Sequence, residues 1–443
     1  MGLATFPRGI HPHDAKEITR DKPIRRLPFA PYLVLFLSQH IGKPSKAIVR
    51  EGQRVRRGEK IAEADGFVSV PLYASATGTV KAVTRSLNFD GKMADAIVIE
   101  PDPGSPQELQ GHKRRDPESL TSKEVVRGVQ EMGMVGLGGA AFPTHVKLTP
   151  PKGKKVETLI INGCECEPYL TSDHRVMVER PEFVLLGARL LAKALDAQRA
   201  IVAVESNKPE ALAALRAAPG ADKVEIRELQ TKYPQGAEKM LTKALLNKEI
   251  PSGGLPADIG VLVSNVATAA EIGDLLPEGR GLIERVVTVT GKGVTRPGNY
   301  LVPLGTPLDF LLESVGFSGK AKQVIFGGPM MGKTVVFLET PTAKGLTGIV
   351  VMDDEELSTH GEALPCIRCG ECVRSCPMGL NPSRLGIFAR SSQYEGMREN
   401  YHLLDCFECG CCSYVCPSEI PLVQLFRTAK SVLRKSDAMA KAK

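Results

Sequence analysis

The sequence predicts a multidomain α/β protein with four parts. These are a small N-terminal β barrel, a central α/β domain, a β-grasp module and a helical, cysteine-rich C-terminal domain. Three observations predict this order. Short strands separated by glycine turns come first, strands and helices then alternate, and nine of the 11 cysteines lie between Cys366 and Cys416. A chain of 443 residues accommodates about three or four domains.

The N-terminal domain is expected over residues 1–115. Residues 48–83 form short alternating segments with tight turns at four glycines, Gly52, Gly58, Gly66 and Gly78. The pattern resembles the barrel-sandwich hybrid of lipoyl and biotinyl domains, in which a lysine at a hairpin tip carries the prosthetic group. Here the tip is Asp65-Gly66-Phe67 and has no lysine, so we expect a structural or docking element.

The remaining boundaries follow from changes in composition and periodicity. Residues 101–117 are rich in proline, glycine and charge, which is typical of a linker. After it, β-rich runs alternate with amphipathic helices, which predicts an α/β domain over 116–280. Valine-rich strands around one short helix predict a β-grasp module over 281–345. A ferredoxin-like domain over 360–425 and a basic tail over 426–443 complete the chain.

Two copies of the pattern C-x2-C-x2-C-x3-C-P indicate two [4Fe–4S] clusters. Three closely spaced cysteines hold three irons of one cubane, and the fourth, before proline, binds the other cluster. The first cluster is therefore assigned to Cys366, Cys369, Cys372 and Cys416, and the second to Cys406, Cys409, Cys412 and Cys376. A pair of zinc knuckles is the alternative, but zinc sites do not favour this spacing. Cys411 is left as a buried thiol.

Charge is concentrated at the two ends of the chain. Residues 1–60 carry 13 Lys or Arg against 5 Asp or Glu, and residues 427–443 carry 6 against 1. These ends are either ordinary solvated surface or docking sites for an anionic membrane face or an acidic partner. Nucleic acid is disfavoured, because the chain has no Trp and only 5% aromatic residues. No apolar run is long enough to span a membrane or to serve as a signal core, so we expect a cytoplasmic protein.

A glycine-rich loop, Gly133–Lys147, is the second chemical feature. As a GxGxxG motif it is weak, because Ala141 replaces the last glycine and a helix-like segment precedes it. Glycine-rich backbone with a nearby Lys147 can still bind a phosphate. Taken alone, the loop would be interpreted as an ordinary turn.

Four motifs in order change that interpretation: GLGGAAFPTHVK, INGCECEPYLTSDHR, YPQGAE and SNVAT. They resemble the flavin- and NADH-binding subunit of respiratory complex I. With the barrel before them and the two-cluster domain after them, nearly the whole chain is similar to the RnfC family of the Rnf complex. That complex is a membrane-associated, ion-pumping NADH:ferredoxin oxidoreductase.

The resemblance implies FMN and NADH contacts. Gly136, Gly138 and Lys147 would hold the FMN phosphate and ribityl chain, and Asn162 and Glu165 would lie at the isoalloxazine. The flavin pocket would be completed by Gly236, Asn265 and Thr268. The residues facing NADH would be Gly139, Phe142, Glu167 and Glu238, with the two glutamates as catalytic candidates.

The chain departs from the complex I pattern at two positions. Cys164 replaces an aspartate, and Ala237 replaces the first of two paired glutamates. Cys164 and Cys166 could alternatively bind metal, and Glu165 and Glu167 could belong to a solvated acidic loop. The segment Phe326–Gly332 is either a tight packing turn or a contact near the flavin.

The resemblance implies an oxidoreductase subunit, peripheral on the cytoplasmic face of the inner membrane. It would pass electrons between NADH, FMN and two [4Fe–4S] clusters. Its partners would be integral-membrane and iron–sulfur subunits and, indirectly, ferredoxin. Two alternatives are a corrinoid or cobalamin reductase of the same superfamily and a non-catalytic iron–sulfur relay.

Overall fold

The computed structural model describes residues 2–89, 91–109, 114–317, 319, 321–357 and 363–441. Parts of the predicted linker (110–113), of the start of the C-terminal domain (360–362) and of the basic tail (442–443) lie outside these residues. In the part that is described, no helix combines the length and the apolar character needed to cross a membrane.

The N-terminal domain is a sandwich of two small antiparallel sheets. The first strand of the chain, β1 (Ile24–Arg26), joins a different sheet. The strands of the N-terminal domain are β2 (Leu33–Phe36), β3 (Lys46–Ala47), β4 (Arg54–Val55), β5 (Lys60–Glu63), β6 (Leu72–Tyr73), β7 (Gly78–Leu87) and β8 (Met93–Pro101). One sheet has the order β2-β8-β7-β4 and the other β3-β5-β6. Inward-facing Leu33, Ile61 and Ile97 are fully buried, so alternation along the strands builds the core.

The central domain is a parallel sheet flanked by helices. Its elements are α1 (Ser122–Glu131), α2 (Thr144–Lys147), β9 (Thr158–Gly163), α3 (Ser172–Glu179), α4 (Pro181–Leu195), β10 (Arg199–Glu205), α5 (Pro209–Ala217), β11 (Glu225–Leu229), α6 (Glu238–Leu246), β12 (Val261–Asn265) and α7 (Val266–Glu278). The strand order is β11-β10-β9-β12, and every pairing is parallel. The buried strands are rich in Val and Ile, as a sheet covered on both faces requires.

The third module is a six-stranded mixed sheet with one helix. It contains β13 (Glu284–Thr290), β14 (Gly298–Pro303), α8 (Leu308–Ser314), β15 (Gln323–Phe326), β16 (Lys333–Thr334) and β17 (Gly348–Met352). The strand order is β1-β14-β13-β17-β15-β16. The expected limits of 281 and 345 therefore leave out two strands, because β1 comes from the N-terminal segment and β17 lies after residue 345.

The C-terminal domain is helical. Its helices are α9 (Glu371–Ser375), α10 (Pro382–Arg390), α11 (Tyr394–Tyr401), α12 (Cys411–Tyr414) and α13 (Leu422–Lys441). α10 and α13 pack around buried Leu385, Met397 and Phe426. The expected boundary at 425/426 falls inside α13, so the described part of the basic tail continues a helix that packs on the cluster domain.

Buried cations join the modules to one another. The Nζ of Lys344, which is fully buried, donates to the carbonyl oxygens of Pro71 (3.1 Å) in the barrel and of Gly133 (2.7 Å) before the glycine loop. Burial lowers the pKa of this amine to about 7. Arg57 of the barrel pairs with Glu284 of β13 at 2.6 Å. The barrel is thus held against both the central domain and the six-stranded sheet.

Helices α4 and α7 cross where two glycines let their backbones touch. A Cβ on Gly187 would lie 1.8 Å from Ala269 O, and one on Gly273 would lie 2.1 Å from Phe183 O. We expect Gly187→Ala to lower the free energy of unfolding by at least about 2 kcal/mol, because the helices must separate. Urea denaturation followed by circular dichroism measures this.

The matched control is Gly104→Ala, whose Cβ would meet its nearest atom at 3.5 Å. We expect it to change the free energy of unfolding by less than about 0.5 kcal/mol. Equal effects of the two substitutions would contradict the close helix crossing.

Candidate functional site

The candidate flavin site lies where the parallel sheet reverses its strand order. From β9 the chain crosses to β10 on one side, whereas β12 pairs on the other side of β9. Asn162 and Asn265, near the carboxyl ends of β9 and β12, are register partners. Ligands of open α/β sheets bind in the crevice at such a switch point. Two residues expected to contact the flavin are therefore brought together at the position that the topology favours.

The glycine loop lies over this crevice. The N–H of Leu137 donates to the Thr268 hydroxyl at 2.9 Å, which fixes the loop on the start of α7. A Cβ on Gly138 would lie 3.1 Å from the Cβ of Asn265, so a larger residue would push the loop away. Gly139 has a φ of +105°, and a Cβ there would meet nothing within 4 Å. The loop thus packs on the crevice at Gly138 and borders open space at Gly139.

The two asparagines are held by their neighbours. The amide of Asn162 donates to Gly236 O at 2.8 Å, which ties the crevice to the YPQGAE segment. The side-chain oxygen of Asn265 accepts from the first backbone N–H groups of α7, and its amide donates to Asp173 at 2.7 Å. This cap explains the local fold of SNVAT, since an asparagine before a helix satisfies N–H groups that have no other partner.

Lys147 and Glu238 form an ion pair at the mouth of the crevice. Lys147 Nζ lies 2.7 Å from Glu238 Oε1 and donates to Val263 O at 3.1 Å. Both side chains are partly exposed, at 34% and 44%. The sequence assigned these residues to different ligands, the FMN phosphate and NADH, whereas the structure pairs them. An anionic ligand that enters here meets an amine that is paired with one partly exposed carboxylate and hydrogen-bonded to one backbone carbonyl.

Glu165 stabilises the start of a helix. Its carboxylate accepts from the N–H groups of Asp173 (2.9 Å) and His174 (3.1 Å) and from the Ser172 hydroxyl (3.2 Å). These are the first residues of α3, so Glu165 caps that helix. The alternative of a solvated acidic loop is wrong for Glu165, which is buried.

Glu167 points toward the C-terminal half of the molecule. Its Oε2 accepts from Met330 N at 3.2 Å, and a Cβ on Gly328 would lie 2.2 Å from that oxygen. Burial raises the pKa of the Glu167 carboxyl to about 7. Among the described hydrogen bonds, none joins Glu167 to the glycine loop. The Glu167 carboxylate thus contacts the Phe326–Gly332 turn, and its expected position facing NADH stays a prediction.

That turn packs between the two redox domains. Met331 O accepts from Arg427 of α13 at 3.2 Å, and a Cβ on Gly410 would lie 2.9 Å from Met330 O. Of the two interpretations given above, the close packing turn is therefore the one whose contacts are observed. Its partners belong to the C-terminal domain and to Glu167.

We divide the predicted cluster cysteines into an inner and an outer set. A hollow is lined by what we call the inner set, by Cys411 and by apolar residues that include Leu385 and Phe426. The inner set is Cys376, Cys406, Cys409 and Cys412, and the outer set is Cys366, Cys369, Cys372 and Cys416. Burial raises the pKa of the Cys372 thiol, and the charges of Cys416, Cys369 and Cys366 raise this pKa further.

The thiols suit a cage better than a single ion. A cubane takes one thiolate per iron, so its ligands line a hollow instead of meeting at a point. The donor set and the hollow at the inner set therefore fit a [4Fe–4S] cluster.

The two sets differ in exposure. Cys376 and Cys412 of the inner set are buried, whereas Cys366 and Cys369 of the outer set are exposed. The apolar side chains of Leu364 and Ile367, beside the outer set, are also exposed. The outer set therefore faces the surface and the inner set faces the protein.

A short chain of contacts joins the crevice to the inner set. Gly236 N donates to Cys166 Sγ at 3.4 Å, and the buried Tyr233 donates its hydroxyl hydrogen to Cys409 O at 2.6 Å. Ile10, Tyr233 and Cys411 form one apolar cluster, against which Cys166 and Cys409 pack. Tyr233, Cys166 and Asp173 were not singled out from the sequence as flavin or cluster contacts, although each lies within a quoted motif.

Comparison with known proteins assigns each domain to a family. The Nuo51 FMN-binding domain matches residues 129–274, and the 4Fe-4S dicluster domain matches residues 365–420. The RnfC barrel sandwich hybrid domain matches residues 4–104, and the SLBB domain matches residues 286–334. These matches confirm the predicted fold class and the predicted FMN and two [4Fe–4S] clusters.

Full-length relatives are the C subunits of ion-translocating complexes. The chain is 42% identical to that of the proton-translocating ferredoxin:NAD(+) oxidoreductase complex of Clostridium ljungdahlii, over all of this chain and 96% of the relative. It is 40% identical to that of the Na(+)-translocating ferredoxin:NAD(+) oxidoreductase complex of Acetobacterium woodii, over 89% and 90% of the two chains. The equivalent protein of the ion-translocating oxidoreductase complex of Pseudomonas aeruginosa is also 40% identical, but this chain spans only 56% of its length.

The carboxyl of Asp173 makes the stability of the site depend on pH. Burial and the nearby Glu165 raise its pKa to about 7, against about 3.9 in an unfolded chain. Between these values the folded state binds the extra proton, so stability falls as pH rises toward 7. Asp173→Asn does not titrate and keeps an acceptor for Asn265. We expect its melting temperature, relative to wild type, to rise between pH 5 and pH 8.

The control is Asp222→Asn, at an exposed position. Its melting temperature relative to wild type should stay constant over the same range. A constant difference for Asp173→Asn as well would contradict the raised pKa.

Proposed function

The chain belongs to the RnfC family, the C subunits of ion-translocating ferredoxin:NAD(+) oxidoreductase complexes, and we propose that it passes electrons between NADH and the other subunits of such a complex. The observation that carries this proposal is the contact chain from Gly236 through Cys166 and Tyr233 to Cys409. It places the cluster-binding domain directly against the segment that borders the flavin crevice.

The crevice residues fit FMN. Lys147 and the loop at Gly136 and Gly138 bind the phosphate and ribityl chain. Phosphate is bound by a lysine amine and by backbone N–H groups that can approach it closely. Asn162 and Gly236 border the ring side, with Glu165, Asn265 and Thr268 holding the surrounding backbone. Bound FMN accepts a hydride and releases electrons singly, which is the conversion that NADH and clusters require.

NADH approaches from the open side of the glycine loop. Gly139 leaves space there, and Phe142 is partly exposed beside it. When the FMN phosphate binds Lys147, the carboxylate of Glu238 loses its ion-pair partner and can accept hydrogen bonds from the nucleotide. We assign Glu238 to NADH contact, and Glu167 to the junction with the cluster domain.

The exposure of the thiols indicates the order in which the two clusters receive electrons. The inner set contacts Tyr233 through Cys409 and includes the buried Cys376 and Cys412, so it receives electrons from the flavin side. The outer set reaches the surface at Cys366 and Cys369, so it passes them to the next subunit. The partners are membrane-bound and iron–sulfur subunits on the cytoplasmic face, and ferredoxin is reached through them. The exposed Arg434 and Lys435 of α13 suit an acidic subunit or an anionic membrane face.

Two other functions are less well supported. A corrinoid reductase would not need the N-terminal barrel, which here packs against the glycine loop and matches full-length relatives. A non-catalytic relay would not need an open loop beside Lys147. Adding NADH under anaerobic conditions distinguishes the relay from the enzyme.

We expect reconstituted protein to contain about eight irons and one FMN, and NADH to bleach the flavin and reduce the clusters. Lys147→Ala should lose at least about tenfold in FMN affinity and keep its irons, because the phosphate loses its cation. Lys154→Ala, which removes another lysine paired with a carboxylate, is the control. Flavin and iron content and visible spectra are the measurements.

Wild-type FMN affinity in Lys147→Ala would contradict the phosphate role. Flavin that stays oxidised with NADH but is reduced by dithionite would indicate the non-catalytic relay.

A further inference from the structure

Cys411 is a fifth thiol at the hollow of the inner set. The hollow is lined by the four cysteines of that set and by Cys411, which is fully buried. A cubane takes one thiolate per iron, so four ligands complete it. The spacing of the second motif assigns those ligands without Cys411. A sulfur that is not needed as a ligand therefore lies beside the inner cluster site.

The equivalent residue of the first motif has a different environment. Glu371 begins α9 and Cys411 begins α12, each directly before the third cysteine of its motif. The Glu371 side chain is 49% exposed. Cys411 instead packs with Ile10 and Tyr233 at the junction with the central domain. At this position only the inner set has a buried thiol.

Cys411 interacts with the sulfur of Cys409. Its side chain hydrogen-bonds to the Cys409 thiol, and its backbone N–H donates to the same sulfur. A cysteine that binds iron is a thiolate and has no hydrogen to donate, so the hydrogen between the two sulfurs belongs to Cys411. Tyr233 holds the backbone of the same ligand, because its hydroxyl donates to Cys409 O at 2.6 Å. Cys409 is therefore hydrogen-bonded both at its sulfur and at its carbonyl oxygen.

We propose that Cys411 is a positioning residue that donates its thiol hydrogen to the cluster-bound sulfur of Cys409 and so raises the reduction potential of the inner cluster. The cluster becomes more negative when it accepts an electron, and a hydrogen bond to a ligand sulfur stabilises that charge. No covalent bond of Cys411 changes. The inference rests on the proposed function for the direction of electron flow, but the potential itself is measured without NADH.

The test is an EPR-monitored redox titration of the reconstituted full chain, in which Cys366→Ala/Cys369→Ala identifies the midpoint of the inner cluster. Cys411→Ala should disfavour reduction of this cluster about fivefold. That lowers its midpoint by about 40 mV, since a tenfold change corresponds to about 59 mV for one electron. Cys411→Ser should keep the wild-type midpoint or raise it, because a thiol is the weaker donor.

The matched control is Glu371→Ala, at the equivalent position of the first motif, which should leave the inner midpoint unchanged. This variant and both Cys411 variants should contain about eight irons. The inference is overturned if Cys411→Ala has a wild-type or higher midpoint, or if Cys411→Ser falls as far as Cys411→Ala. Loss of about four irons in Cys411→Ala would also overturn it, because Cys411 would then be a ligand. In each case, bleaching of the flavin by NADH would leave the proposed function standing, and flavin that stays oxidised would contradict it separately.

Discussion

Electron transfer between a flavin and a cluster requires protein that holds the two sites close together, and Tyr233 is central to that contact here. Its hydroxyl hydrogen-bonds to the backbone of Cys409, while the glycine three residues later borders the flavin crevice. The N-terminal segment strengthens the junction. Ile10 pairs with Tyr233 through two backbone hydrogen bonds of 2.9 Å, and Gly9 donates to Ser375 O at 3.2 Å. The first residues of the chain thus connect the central domain to the cluster domain.

The other modules are arranged around this junction. The Phe326–Gly332 turn of the six-stranded sheet lies between Glu167 and the inner cysteine set. The barrel is clamped by Lys344 and reaches the glycine loop from the opposite side. Lys16, also buried, donates to Glu167 O at 2.8 Å and so holds the acidic segment in place. Each redox site is consequently built from several parts of the chain that are distant in sequence.

This dispersion explains what the sequence could predict. The spacing of the cysteines predicts interleaved ligand sets, because a local motif determines which thiols lie close together. The fold class followed from strand and helix periodicity. The limits of the third module did not, because β1 pairs with β14 and the paired residues, such as Ile24 and Asn299, are 275 residues apart in the sequence. The contacts of the acidic residues were hard to predict for the same reason. Glu165 caps α3, and Glu167 contacts a turn about 160 residues later in the sequence. Glu238 pairs with Lys147. Each partner is specified by tertiary packing, which leaves no local pattern to detect.

The central claim is that electrons reach the inner cysteine set before the outer one. It is tested most directly by EPR of two variants after anaerobic addition of NADH, each retaining about four irons. In Cys366→Ala/Cys369→Ala the remaining inner cluster should still be reduced by NADH. In Cys406→Ala/Cys412→Ala the flavin should bleach while the outer cluster is reduced only by dithionite. The account would be contradicted if NADH reduced the outer cluster in Cys406→Ala/Cys412→Ala and left the inner cluster oxidised in Cys366→Ala/Cys369→Ala.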